Sequence, residues 1–214
     1  MVKEGFRFAA PPLITGILLI VFAEVLDHKP GLAIAGGVFI LLGAFVLYFF
    51  RDPERQIPTE PGAVVSPADG HVLEVVDEAL DGAAGKRITI FLSVFDVHVN
   101  RVPVAGEITS VEYRPGRFYA AMRKRASVEN EQNVITVTTP SGDIVFKQIA
   151  GAIARRVICW KNVGDQVALG ERVGMIRFGS RVDVWLPDDS QVLVRRGQRV
   201  FGGSSILAKW KPTA

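Results

Sequence analysis

Near its C-terminus the chain reads FGGSSILAKW, and in this stretch Ser204 directly follows Gly202 and Gly203. A serine Oγ after a glycine can reach the carbonyl carbon behind it, because Gly203 has no Cβ to obstruct the approach and Gly202 can adopt positive φ. Attack there exchanges the Gly203–Ser204 amide for an ester. Elimination then releases the upstream chain and leaves a dehydroalanine, which hydrolyses to a pyruvoyl group and ammonia. Such a nucleophile needs a nearby base and a donor for the developing oxyanion. Taken alone, GGSS is an ordinary turn signal.

The search for a base is short, because the chain has only three histidines. His28 lies in a polar turn between two apolar runs and reads as a polar cap. His71 follows SPADG at the start of a strand-like run. His98 lies in LSVFDVHVNRVP, with Asp96 two residues before it. In an extended strand that spacing puts Asp96 and His98 on one face, about 7 Å apart. Asp69 belongs to a Pro-Ala-Asp-Gly turn, where an aspartate ordinarily bonds its own backbone. Cys159 is the only cysteine, so no internal disulfide exists. Its apolar setting reads as a buried structural thiol.

These residues need a scaffold, and the sequence from Ala63 onward predicts one. Short β-branched runs such as HVLEVV, RITIFLSV, NVITVTT and RVDVWLP alternate with Gly, Pro and Asp turns. That texture predicts a mainly β fold, a compact sandwich or barrel. Arg117 to Ala126 reads as a helix or a loop. Gly164-x-x-Val167-x-x-Gly170 recurs as Gly197-x-x-Val200-x-x-Gly203, a spacing similar to the half-motifs of biotinyl and lipoyl domains. Residues 53–62, with prolines at 53, 58 and 61, predict an extended linker.

The hydrophobicity of the chain is concentrated upstream. Gly31 to Phe50 is twenty residues without a charge, about 30 Å as a helix and so a bilayer's hydrocarbon thickness. Phe8 to Leu26 is also apolar, with prolines at 11 and 12 and Glu24 near its end. Residues 1–52 are therefore predicted to form a membrane anchor, read as a helical hairpin turning at Asp27–Pro30. A single span preceded by an interfacial helix is the alternative. No small-x-small cleavage site follows the first run, which argues against a signal peptide. Lys3, Arg7, Arg51 and Arg55 flank the pair, so the positive-inside rule puts both ends, and the body, on the cytoplasmic face of the cell membrane. The net charge of +3 is compatible with anionic lipid, nucleic acid or neither. No zinc-finger, helix-turn-helix or RNA-platform pattern accompanies it, so no nucleic-acid partner is expected.

Seven stretches occur in order: FFRDPERQIP, VVSPADGHV, FLSVFDVHVNRVPVAG, ENEQN, QIAGAIARRVICW, GDQVALGERVGMIRFGSRVDVWLP and FGGSSILA. Together they closely resemble the short, membrane-associated class of phosphatidylserine decarboxylases, from about Phe49 to Ala208. The resemblance implies a self-processed, pyruvoyl-dependent carboxy-lyase acting on an anionic phospholipid at the membrane. Cleavage would fall between Gly203 and Ser204, giving a β chain 1–203 and an α chain 204–214 held as a heterodimer, with further oligomers open. Residues 63–214 would be the decarboxylase domain. Ser204 would become the pyruvoyl cofactor and form a Schiff base with the substrate amine. Asp69 and His98 match the family's aspartate and histidine that assist cleavage.

Two positions depart from the family pattern. Larger members carry a second histidine where this chain has Arg101, a candidate to hold substrate phosphate or carboxylate. Gln132 stands where the family usually has arginine. No metal cluster or added cofactor is expected. The rival class is a non-catalytic membrane-tethered adaptor with a lipoyl-like body, which usually carries a long helical hairpin between its lipoyl halves. No heptad-patterned segment lies between Asp69 and Gly164.

Overall fold

The computed structural model describes residues 2–80, 84–152, 156–177 and 179–210. The chain divides into two compact units, Met1–Pro53 and Glu54–Ala214.

The first unit is a pair of helices, α1 (Lys3–Val25) and α2 (Pro30–Phe49). Both are long and apolar enough to cross a membrane. Pro30 opens α2, where its missing N–H removes no intrahelical bond. Pro11 and Pro12 lie inside α1 without ending it. The turn bends through Asp27 and His28, at φ 57° and 56°, and His28 Nδ1 lies 2.8 Å from Glu24 Oε2. The helices approach closely at small residues: a Cβ on Gly16 would stand 2.7 Å from the Gly36 carbonyl oxygen.

The second unit is mainly β. In chain order its elements are β1 (Ala63–Val65), β2 (Gly70–Asp77), β3 (Gly85–Leu92), β4 (Val99–Arg101), β5 (Gly106–Arg114), α3 (Ala126–Glu129), β6 (Gln132–Thr139) and β7 (Gly142–Ala150). Next come β8 (Val157–Cys159), β9 (Gln166–Val167), β10 (Arg172–Ile176), β11 (Ser180–Pro187), β12 (Gln191–Val192), β13 (Arg199–Val200) and β14 (Ile206–Lys209). The main sheet has the order β13-β2-β3-β11-β7-β6-β5-β9, and two three-stranded sheets, β1-β14-β12 and β4-β10-β8, accompany it. Because β13 and β9 are free edges, the main sheet does not close into a barrel.

Alternation along the strands separates the two faces of the main sheet. Ile88, Ile90, Val182, Val184, Phe146 and Ile135 are fully buried on the core side. On the other side Arg87, Thr89, Arg181 and Asp183 are also buried, which charged residues tolerate only when paired. Arg181 Nε donates to Asp183 Oδ1 at 2.6 Å, and Ser127 Oγ of α3 donates to Asp183 Oδ2 at 2.7 Å. Arg87 donates to Glu78 at 2.7 Å and holds that carboxyl below its usual range.

The possible helix at 117–126 is confined to α3. Residues 117–125 form turns and loop instead. The Asn130 side chain takes the Tyr119 N–H and donates to the Tyr119 carbonyl, both at 2.9 Å, so this backbone is satisfied without helix formation. Arg125 stacks on the Tyr119 ring at 3.6 Å.

The Gly-x-x-Val-x-x-Gly repeat corresponds to a repeated shape. All four glycines have positive φ: Gly164 92°, Gly170 71°, Gly197 84° and Gly203 77°. Each valine is buried in a two-residue strand, Val167 in β9 and Val200 in β13, at opposite edges of one sheet.

Candidate functional site

The SPAD turn (Ser66 to Asp69) and the GGSS turn (Gly202 to Ser205) clasp each other through their backbones. Gly203 N–H donates to Ser66 O at 2.7 Å, and Ser66 N–H donates to Ser205 O at 2.8 Å. Asp69 Oδ1 accepts the Gly202 N–H at 2.8 Å. The aspartate therefore reaches across to the glycine turn rather than bonding its own backbone, as an aspartate in such a turn ordinarily does. It is 5% exposed.

A buried carboxylate needs a countercharge, and Arg55 supplies it. Arg55 Nη2 lies 2.8 Å from Asp69 Oδ1 and 2.9 Å from Oδ2. Arg55 comes from the proline-rich segment read as a linker. Ile57 of the same segment also packs here: a Cβ on Gly203 would stand 3.1 Å from Ile57 Cδ1. Sequence reasoning missed both residues, because an extended Pro-rich segment carries no periodicity that marks its buried side. The available signal was a cation inside the RDPERQIP motif.

The two serines differ. Ser205 Oγ accepts the Phe201 N–H at 2.9 Å, so it serves the turn. Ser204 is half-buried, and its Oγ makes no hydrogen bond to a described residue. A free hydroxyl after a left-handed glycine is the arrangement that attack on the preceding carbonyl requires. Ser204 N–H and Ser205 N–H both donate to Phe201 O, at 3.1 and 2.9 Å.

Arg101, at the end of β4, packs on the same turn. Its Cδ would lie 2.7 Å from a Cβ on Gly203, and its Nη1 donates to Gly170 O at 2.9 Å. A cation thus sits beside the Gly203–Ser204 peptide. The neighbouring turn is braced by Glu171, whose Oε2 accepts the Ala168 N–H at 2.8 Å and whose Oε1 pairs with Lys161. These contacts, the lysine first, hold the Glu171 carboxyl below its usual range.

His98 is placed differently from the expectation that Asp96 and His98 share one face of an extended strand. The segment from Ser93 to Asp96 is a bend, and β4 begins only at Val99. The Asp96 carboxylate turns back to Ser93 Oγ at 2.7 Å and to Arg199 at 3.0 Å. His98 Nδ1 instead faces the Asp96 carbonyl at 3.0 Å, and Nε2 accepts the Gly179 N–H at 3.2 Å.

The remaining positions are structural or peripheral. His71 is exposed on β2 opposite Arg199. Gln132 is buried, with Nε2 donating to Val128 O at 3.4 Å and Oε1 unpartnered among the described residues. Burial pushes the Cys159 thiol pKa up, which matches an inert cysteine.

After the turn, β14 pairs with β1 and β12. Leu207 and Ala208 are fully buried and Trp210 nearly so, about 1.5–3 kcal/mol for each large side chain. Residues 206–210 are thus anchored independently of the peptide bond that precedes Ser204.

The family model described as phosphatidylserine decarboxylase matches residues 42–208. A phosphatidylserine decarboxylase proenzyme of Solibacter usitatus is 52% identical over 180 residues, covering 82% of this chain and 86% of the relative. That of Symbiobacterium thermophilum is 44% identical over 211 residues, covering 97% and 94%. That of Desulfotalea psychrophila is 49% identical over 177 residues, covering 80% and 82%. The family model spans both clasped turns, and the three relatives cover 80–97% of this chain at 44–52% identity: the chain belongs to the phosphatidylserine decarboxylase family.

Proposed function

We propose that this chain is a proenzyme that cuts itself between Gly203 and Ser204 and then converts phosphatidylserine to phosphatidylethanolamine. The observation that carries the reading is the clasp: Asp69 on the Gly202 amide, Arg101 against Gly203, and Ser204 Oγ without a partner among the described residues.

In self-cleavage Asp69 is assigned the role of base for the Ser204 hydroxyl, and Arg101 that of a positive charge beside the developing oxyanion. Ser204 Oγ adds to the Gly203 carbonyl carbon as the C–N bond breaks, giving an ester. Loss of the Ser204 α-proton expels the Gly203 carboxylate. Water then replaces the nitrogen of the resulting dehydroalanine, and ammonia leaves. The left-handed Gly203 and the free hydroxyl behind it fit a pyruvoyl group built from Ser204. Such a group supplies an electron sink for the pair released as CO₂ departs. His98 is the candidate to protonate the product carbon, which requires its 3.2 Å contact with Gly179 to open.

The β1-β14-β12 sheet would keep the α chain, residues 204–214, bound to the β chain after the cut. The two apolar helices would hold the body at the headgroup level, on the cytoplasmic side by the positive-inside rule. The adaptor reading lacks its helical hairpin: among the described residues the second unit has one helix, α3.

Intact-mass analysis of the purified chain tests the proposal. Two fragments are expected, the smaller beginning with a pyruvoyl group in place of Ser204. A preparation that remains a single full-length chain overturns it. His98→Ala is expected to slow cleavage or to lose decarboxylation; normal processing together with normal turnover would remove His98 from both roles.

A further inference from the structure

A cleft of about 850 Å³ opens on the charged face of the main sheet, beside α3. Its walls combine two chemistries. Lys124, Arg181, Arg195 and Arg196 supply positive charge, while Val76, on the Arg87 side of β2, and Met122 supply apolar surface. None of these belongs to the clasp around Gly203.

The cations are not equivalent to a solvated basic loop. Of the basic residues between 114 and 125, Arg114 is paired with Glu112, and Arg117 and Arg125 are engaged with Tyr119. Arg123 and Lys124 are not: neither side chain forms a hydrogen bond or ion pair with a described residue, and of the two only Lys124 lines the cleft. The side chains of Arg195 and Arg196 likewise form none with a described residue. Among the described residues the one acidic side chain lining the cleft, Glu74, is held by Arg87. Arg181 is 3% exposed and lies against Thr89 and Asp183.

The two exposed arginines sit on a fixed support. Gln198 N–H donates to Arg195 O at 3.1 Å, and the Gln198 side chain accepts the Arg195 N–H at 3.2 Å. Gly197 N–H donates to Val72 O at 2.7 Å, and Val72 N–H donates to Gln198 O at 2.9 Å. The hairpin is thereby pinned to β2, so less order must be gained when a ligand binds. Arginine forks on a rigid turn match the oxygens of a phosphate.

We propose that this cleft is a second anion site, which binds a phosphate group and takes it from an anionic phospholipid that is not the one reacting at Ser204. The guanidinium and ammonium groups hold the phosphodiester. The Val76 and Met122 surface takes the first carbons of the lipid. The site does not depend on self-cleavage, so its test is independent of the proposed reaction.

The experiment is calorimetric titration of the detergent-solubilised full chain with short-chain probes. Dihexanoyl phosphatidylglycerol is the anionic lipid, dihexanoyl phosphatidylcholine the zwitterionic control, and inorganic phosphate the lipid-free anion. Saturable binding of the phosphatidylglycerol is expected, with weaker binding of the other two. The triple variant Lys124→Gln/Arg195→Gln/Arg196→Gln should lose at least about tenfold in affinity, the effect of forfeiting one or more charge-assisted bonds. Met122→Gln should weaken the lipid and leave phosphate unchanged. Inorganic phosphate binding as tightly as the lipid would support the anion site and overturn the lipid as its source. No saturable binding, or equal binding by the triple variant, overturns the proposal.

Discussion

The Gly164–Gly170 and Gly197–Gly203 turns share a sequence pattern, four left-handed glycines and a buried valine in an edge strand. Their last glycines even share neighbours. Ile57 Cδ1 would lie 2.5 Å from a Cβ on Gly170 and 3.1 Å from one on Gly203, and Arg101 touches both turns. The groups next to each final glycine separate the two. Gly170 leads to Glu171, which ties the turn to Lys161, and the Gly170 N–H donates to the Val102 carbonyl at 2.9 Å. In the other turn the Gly202 N–H donates to a carboxylate, and Gly203 leads to a serine whose hydroxyl is unengaged among the described residues. The shared pattern is scaffold. The carboxylate and the free hydroxyl are what make one turn a candidate for chemistry.

Exchanging or removing those two groups tests the distinction most severely. Ser204→Ala is expected to leave a single uncut chain with no decarboxylase activity, whereas Ser205→Ala should still cleave, since Ser205 Oγ only caps the turn. Gel electrophoresis of the two variants separates these outcomes. Asp69→Asn is next: it keeps an acceptor for Gly202 and loses the base, so cleavage should slow by about 10²-fold or more. A time course of fragment appearance reads this directly.

Gly170→Ala and Gly203→Ala form a matched pair. Each places a Cβ at positive φ against Ile57 or Arg101, costing about 1–3 kcal/mol. Melting measurements should show similar losses, while only Gly203→Ala slows cleavage. Equal slowing by both would mean that the turns act as one unit and would end the distinction.

The smallest effect concerns the brace. Because the Glu171 carboxyl is held low by Lys161 and the Ala168 amide, its contribution to stability is present above the unfolded-state pKa. It is lost as pH falls through the lower folded-state value. Glu171 is partly exposed, so solvent screening keeps this below about 1 kcal/mol. Glu171→Gln should lower the melting temperature slightly at neutral pH, and the difference should vanish in acid. A difference that persists in acid would mean that the side chain acts through packing.

Much of the fold was legible because it rests on local pattern. Period-two runs marked the strands, twenty uncharged residues marked α2, and glycine spacing marked both turns. Arg117 to Ala126 was ambiguous, since its helix-forming residues compete with the Asn130 side chain, a partner outside the window that propensity reads. The His98 expectation assumed an extended strand through Asp96, and the bend at Ser93 to Asp96 sends the carboxylate elsewhere. Arg55 and Ile57 were invisible as site residues because nothing local distinguishes a buried extended segment from a spacer.

The sequence by itself determined the residue types available for reaction, the β texture of the body and the two apolar helices, all consequences of near-neighbour chemistry along the chain. Only the tertiary structure decided which carboxylate meets Gly202, which serine hydroxyl is unengaged among the described residues, and that Arg101 packs on Gly203. Those choices depend on backbone bonds between segments more than a hundred residues apart, such as Gly203 to Ser66. No local spacing encodes them.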